Sequence, residues 1–148
     1  QPAERSGLLS GGNWIIDQVK IIDVYPKHEQ LANIYSQSQG TGGSPYNVLL
    51  DLAKMGAKFP LEGAGLVGQD SLGQYIVDDC KNHGIATDML SVSPGTSTSY
   101  TDVMTERDGG RRTFFHNRGA NATWDGWIGD RFQCQFGQNL SFGIPSFT

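Results

Sequence analysis

Aliphatic and aromatic residues first concentrate over residues 13–25, where Trp14, Ile15, Ile16, Val19, Ile21, Ile22 and Val24 form a run that stops at Pro26. A run this rich in β-branched side chains predicts a buried strand or a strand pair, with the acid Asp17 inside it. Residues 31–38 are polar and weakly alternating, which predicts an exposed strand leading into a turn at Gly40-Thr41-Gly42-Gly43. Ser44-Pro45 then reads as an N-cap followed by proline in the first helical position. Val48, Leu49, Leu52 and Met55 supply an apolar face to that helix, which ends at Gly56. Residues 58–67 predict another strand, interrupted by glycines. Asp70 or Ser71 caps a second helix whose Leu72, Ile76 and Cys80 share one face, and Gly84 closes it. Further strands are expected over 85–92, 99–105 and 112–116, the last two joined by a hairpin turn at Asp108-Gly109-Gly110.

Alternating strands and helices predict an α/β sheet with parallel crossovers. The polar strand and the late hairpin have no place between those crossovers, so they are expected to form a small β flap on one edge of the sheet.

Composition narrows the function classes. The chain has 148 residues, 37% hydrophobic and 18% charged, which suits one globular domain and is too apolar for a disordered chain. No apolar run approaches the roughly 18 residues of a membrane span, so no membrane partner is expected. A net charge of -4 argues against a general nucleic-acid binder, and the one tight basic pair is Arg111-Arg112. Cys80 and Cys134 show no zinc-site spacing and are too few for a disulfide scaffold, which fits a reducing, cytoplasmic setting. Residues 1–10 read as a disordered or clipped start.

Three features sit where an α/β sheet presents ligands, at strand ends and helix starts. Asp17 is the first: a buried carboxylate needs donors, and a ligand with adjacent hydroxyls would satisfy both oxygens, whereas a solvent-facing strand position would need none. The second is Gly42-Gly43-Ser44-Pro45-Tyr46-Asn47, where glycines permit close backbone approach, the helix start offers N–H groups, and the Asn47 amide can donate and accept together. The plain alternative is a loop followed by a solvated helix residue. The third, Gly63-Ala64-Gly65-Leu66-Val67-Gly68, has the spacing of a dinucleotide-binding turn. Gln69-Asp70-Ser71 then delays the helix start, which favours a glycine-rich strand end over a cofactor site.

Taken in order, these segments resemble the amino-terminal region of the PfkB carbohydrate kinase family, the group of ribokinase, fructokinase and adenosine kinase. Gly11-Gly12-Asn13-Trp14-Ile15-Ile16-Asp17 is similar to the family's first strand and its sugar-binding aspartate. Gly42-Gly43 with Asn47, then Met55-Gly56-Ala57, then Gly65-Leu66-Val67-Gly68-Gln69-Asp70 with Gly73, follow its first signature. Gly84-Ile85, Thr96-Ser97-Thr98 and Gly119-Ala120-Asn121-Ala122 continue the likeness to about Thr123.

The resemblance implies a ribokinase-like fold, a Rossmann-type sheet with a small β-sheet lid whose strands lie at about 25–40 and 96–118, within a region spanning 11–124. It implies that Asp17 and Asn47 bind sugar hydroxyls with help from Gly42 and Gly43, and that Arg118 and Asn121 stand beside the sugar. It also implies ATP and Mg2+ as cofactors of an intact enzyme, and it allows a homodimer through the lid. The family's proton-abstracting aspartate lies in a later Gly-Ala-Gly-Asp segment that these 148 residues do not contain, so the chain is expected to be truncated before the nucleotide-binding half and inactive alone. Residues 125–148 lose the apolar strand expected next, and they are expected to be an atypical tail, frame-shifted or disordered. Two readings outside the kinases stay open: a fragment of an NAD(P)-binding oxidoreductase, and a non-catalytic sugar-binding or dimerisation module.

Overall fold

The computed structural model describes residues 6–125. The tail expected after Asp125, Cys134 and residues 1–5 lie outside the described residues.

Two sheets organise the chain. In the first, strand β1 (Leu8–Gly11) pairs parallel with β4 (Leu61–Gly68), which pairs parallel with β5 (Ile85–Ser93). In the second, the order is β3 (Ile34–Gly42), β2 (Ile15–Ile22), β6 (Tyr100–Glu106) and β7 (Arg112–Asn117). Here β2 runs antiparallel to β3 and parallel to β6, and β6 and β7 form the expected hairpin. Helices α1 (Ser44–Lys54) and α2 (Ser71–Asn82) make the crossovers that return the chain to the first sheet, and a 3-10 turn spans Gly119–Thr123.

Three sequence expectations need correction. Residues 13–25 do not form the first strand of the parallel sheet; that strand is β1, so residues 8–10, expected within a disordered start, are paired with Leu61, Glu62 and Gly63. The chain leaves the sheet at Gly12, whose φ of 147° a residue with a side chain rarely adopts, and it enters a different sheet as β2. The polar strand and the hairpin are therefore not an edge flap: with β2 they complete a separate four-stranded sheet. Finally, Gly40 to Gly42 do not turn. They extend β3, and Gly43 (φ 99°) alone makes the bend and serves as N-cap of α1, leaving Ser44 inside the helix with no side-chain cap.

The core lies between the helices and the parallel sheet. Trp14, Ile16, Leu49, Ile76, Cys80, Val67 and Ile85 are buried there. The buried face of α1 is Pro45, Tyr46 and Leu49, while Val48 and Met55, expected on that face, are exposed. The indole of Trp14 is the hub: its Nε1 donates to the Ala64 carbonyl at 2.8 Å, and its ring meets that of Tyr46 edge-on with centroids 6.2 Å apart. A second pin holds the start of β6. Asp70, the N-cap of α2, accepts from Gly73 N–H at 2.8 Å, Thr98 N–H at 2.8 Å and the Thr98 hydroxyl at 2.6 Å.

Candidate functional site

The site begins with the register of two strands. Asp17 on β2 stands opposite Gly40 on β3, and Ile15 stands opposite Gly42. Neither glycine puts a side chain beside the carboxylate. A Cβ on Gly42 would lie 3.2 Å from Asp17 Cγ and in collision with Oδ2, so glycine is what allows the acid to rest against the β3 backbone. Gly43 then turns the chain into α1, and the Asn47 N–H closes the first helical turn onto the Gly43 carbonyl at 3.0 Å. The consequence is short-range: Asp17, Gly42, Gly43 and the first turn of α1 are brought together through one strand contact and one bend.

Electrostatics mark Asp17 out. It is half-buried, and among the described residues none donates a hydrogen bond to its carboxylate. Burial pushes its pKa above the ordinary carboxylate value, and the nearby His116 imidazole pulls partly the other way. Asn47 is exposed, as is the Ser44 position that leaves the helix start without a side-chain cap. The helix start is fixed from behind, because the Tyr46 hydroxyl donates to Asp79 Oδ2 on α2 at 2.5 Å. Burial, together with that bond, raises the phenol well above its usual pKa.

Two other expected residues play different parts. The buried Asn121 donates its Nδ2 to the Trp14 carbonyl at 2.9 Å, which ties the 3-10 turn to the entry of β2 three residues before Asp17; its Oδ1 has no partner among the described residues. Arg118 is exposed just before that turn. Two residues that sequence reasoning passed over also face Asp17. Thr101 on β6 is in register with Asp17, and His116 on β7 is in register with Thr101. The hairpin turn at Asp108-Gly109-Gly110 pairs Thr101 with His116, but only the parallel pairing of β2 with β6 brings them beside Asp17.

The dinucleotide-like glycines lie wholly within β4, and each has a packing reason. A Cβ on Gly63 would approach the Trp14 ring at 2.6 Å, one on Gly65 would reach it at 2.5 Å, and Gly68 lies against the Thr96-Ser97-Thr98 backbone. These glycines make room for Trp14 and for the start of β6.

A parallel sheet crossed by two helices, with a second sheet that carries an acid beside a glycine bend, defines a ribokinase-like α/β protein with a β-sheet appendage. Solved structures of that fold agree. Arabidopsis thaliana ribokinase, described as complexed with ribose and ATP, is 22% identical with a TM-score of 0.75, covering 86% of this chain and 41% of its own. The ribokinase of Cryptococcus neoformans var. grubii serotype A, in complex with ADP, is 21% identical with a TM-score of 0.67, covering 79% and 36%. A Methanocaldococcus jannaschii nucleoside kinase is 22% identical with a TM-score of 0.68, covering 77% and 37%. The chain belongs to the pfkB family of carbohydrate kinases, whose family model matches residues 12–138. It spans little more than a third of the length of most of these structures. No curated protein matches it. No helix among the described residues is long and apolar enough to cross a membrane.

Proposed function

We propose that this chain is the sugar-binding portion of an ATP-dependent carbohydrate kinase, in which Asp17 accepts hydrogen bonds from two hydroxyls of the acceptor. The observation that carries this reading is the half-buried Asp17 carboxylate, without a donor among the described residues and resting against Gly42. Desolvating a carboxylate costs several kcal/mol unless donors replace water, and two vicinal hydroxyls supply them. Each such charge-assisted bond contributes about 1.5–3 kcal/mol. Gly42 and Gly43 would offer backbone groups, Asn47 would donate and accept from the first turn of α1, and Arg118 would stand at the rim. Asn121 would act through Trp14, holding the backbone that leads to Asp17.

The four-stranded sheet would act as the lid, because it carries Asp17 itself and so moves the sugar's anchor with it. Closure would exclude water that competes for the transferred phosphoryl group. The exposed strand β3, with Ile34 and Tyr35 half open to solvent, is the edge at which a second copy would pair. ATP with Mg2+ would supply the phosphoryl group when bound. The part proposed for the described residues is to hold and shield the acceptor. The 148 residues contain no Gly-Ala-Gly-Asp segment, so the chain alone is proposed to lack phosphoryl transfer.

Isothermal titration with D-ribose, D-fructose and D-glucose tests the reading. At least one sugar should bind, and Asp17→Ala should weaken it by a hundredfold or more, the loss of two charge-assisted bonds at about 1.5–3 kcal/mol each. Equal affinity in the wild type and Asp17→Ala would refute it.

A further inference from the structure

The register of the four-stranded sheet builds a polar row that extends the site. Gly40, Asp17, Thr101 and His116 stand side by side on β3, β2, β6 and β7. Residues paired across neighbouring strands project to the same face, so the carboxylate, the hydroxyl and the imidazole share one side of the sheet. Strands lie about 4.8 Å apart, which separates the Asp17 and His116 backbones by about 9.6 Å, with Thr101 between them. Thr101 is 8% exposed, whereas His116 is open to solvent. The row therefore has buried Thr101 flanked by the half-buried Asp17 on one side and the exposed His116 on the other.

The orientation of the imidazole is set. Its Nδ1 lies 2.8 Å from the Thr101 hydroxyl, which leaves Nε2 as the nitrogen able to meet a ligand. A strand position that served only structure would gain little from an exposed imidazole held in this way. The same placement brings the His116 imidazole near enough to Asp17 to draw its pKa down against the larger effect of burial.

We propose that His116 is a further substrate-contacting residue, whose Nε2 binds an oxygen of the sugar at the end remote from Asp17, beyond Thr101. Thr101 is then a positioning residue that aims the ring. The proposal rests on the reading that Asp17 anchors the sugar, and it gives the site a second polar end. The acceptor must reach both ends, so the row selects for an extended polyol with oxygens at each end.

The test follows the imidazole signals of the 148-residue chain by proton–carbon correlation NMR during titration with D-ribose and D-fructose. His28, His83 and His116 provide the three signals. The His116 signal should move with the sugar while those of His28 and His83 stay. His116→Ala should weaken the sugar about three- to tenfold, the size of one neutral hydrogen bond. His116→Gln, whose amide can donate or accept, should recover part of that loss. It also serves as the second variant should alanine disturb β7. Thr101→Val should broaden the His116 response while leaving Asp17-dependent binding in place. An unmoved His116 signal, with unchanged affinity in both His116 variants and abolished binding in Asp17→Ala, overturns the His116 assignment and leaves the Asp17 site standing. Absence of binding by the wild-type chain to either sugar overturns both.

Discussion

Replacing Gly42 by alanine adds one methyl group and tests whether the Asp17 carboxylate rests against β3. Gly42 lies outside the left-handed region, so alanine can adopt its backbone. By itself the change should stabilise the chain by about 0.4–1 kcal/mol through lower unfolded-state entropy. The added Cβ would however sit 3.2 Å from Asp17 Cγ and inside contact distance of Oδ2. Either the carboxylate leaves its rotamer, at about 0.5–1.5 kcal/mol, or β2 and β3 part, at about 1–3 kcal/mol. In the Asp17→Ala background neither cost arises and the stabilisation alone remains. The expected coupling between the two positions is therefore about 0.5–3 kcal/mol. Urea unfolding of the wild type, both single variants and the double variant, followed by circular dichroism, measures it. The same Gly42→Ala effect in both backgrounds would refute the contact.

Asp17→Asn should stabilise the unliganded chain at neutral pH even as it weakens the sugar. The folded pKa of Asp17 is raised by burial, so between the unfolded value of 3.8 and that higher value the folded state holds more protons and stability falls as pH rises. The variant should lack that fall, which urea midpoints taken across the acid range would show. Asp70 should give the opposite sign. Burial pushes it up, but the Thr98 hydroxyl, the Thr98 N–H and the Gly73 N–H outweigh that and hold its pKa below 3.8. Its contribution is present above 3.8 and is lost as pH falls through the lower folded value. Asp70→Ala should cost about 1–3 kcal/mol through the lost cap and the unpaired Thr98 groups, and the same urea series checks it. The Cys80 thiol is buried, and burial followed by the neighbouring Asp79 charge pushes its pKa up to about 12. Peptide-resolved alkylation at about pH 8 should leave Cys80 unmodified in the folded chain and modify it in urea.

Local periodicity made much of this fold readable. Ile76 and Cys80 sit one helical turn apart and are buried as expected, Asp70 caps α2, and the Asp108-Gly109-Gly110 turn closes the β6–β7 hairpin. What local signals could not convey was sheet membership. Leu8 and Leu9 are too few to announce β1, and no charge or proline separates them from the aliphatic run that becomes β2. The two sheets differ only through long-range pairing. Gly40 and Gly42 carried a turn signal, yet both are extended within β3, and at Gly42 the missing Cβ leaves room for the acid on the next strand. The same limit applies to the site. Asp17 and the glycines that adjoin it were visible as unusual residues, whereas Thr101 and His116 gain meaning only from a register that places them in one row.

A sugar held where Asp17 meets the glycine bend before α1 would reveal itself most directly in backbone-amide NMR during a D-ribose or D-fructose titration. Shifts concentrated at Asp17, Gly42, Gly43 and Asn47 are the predicted result. Shifts confined to residues 63–70, or none at concentrations that saturate a millimolar site, would contradict it.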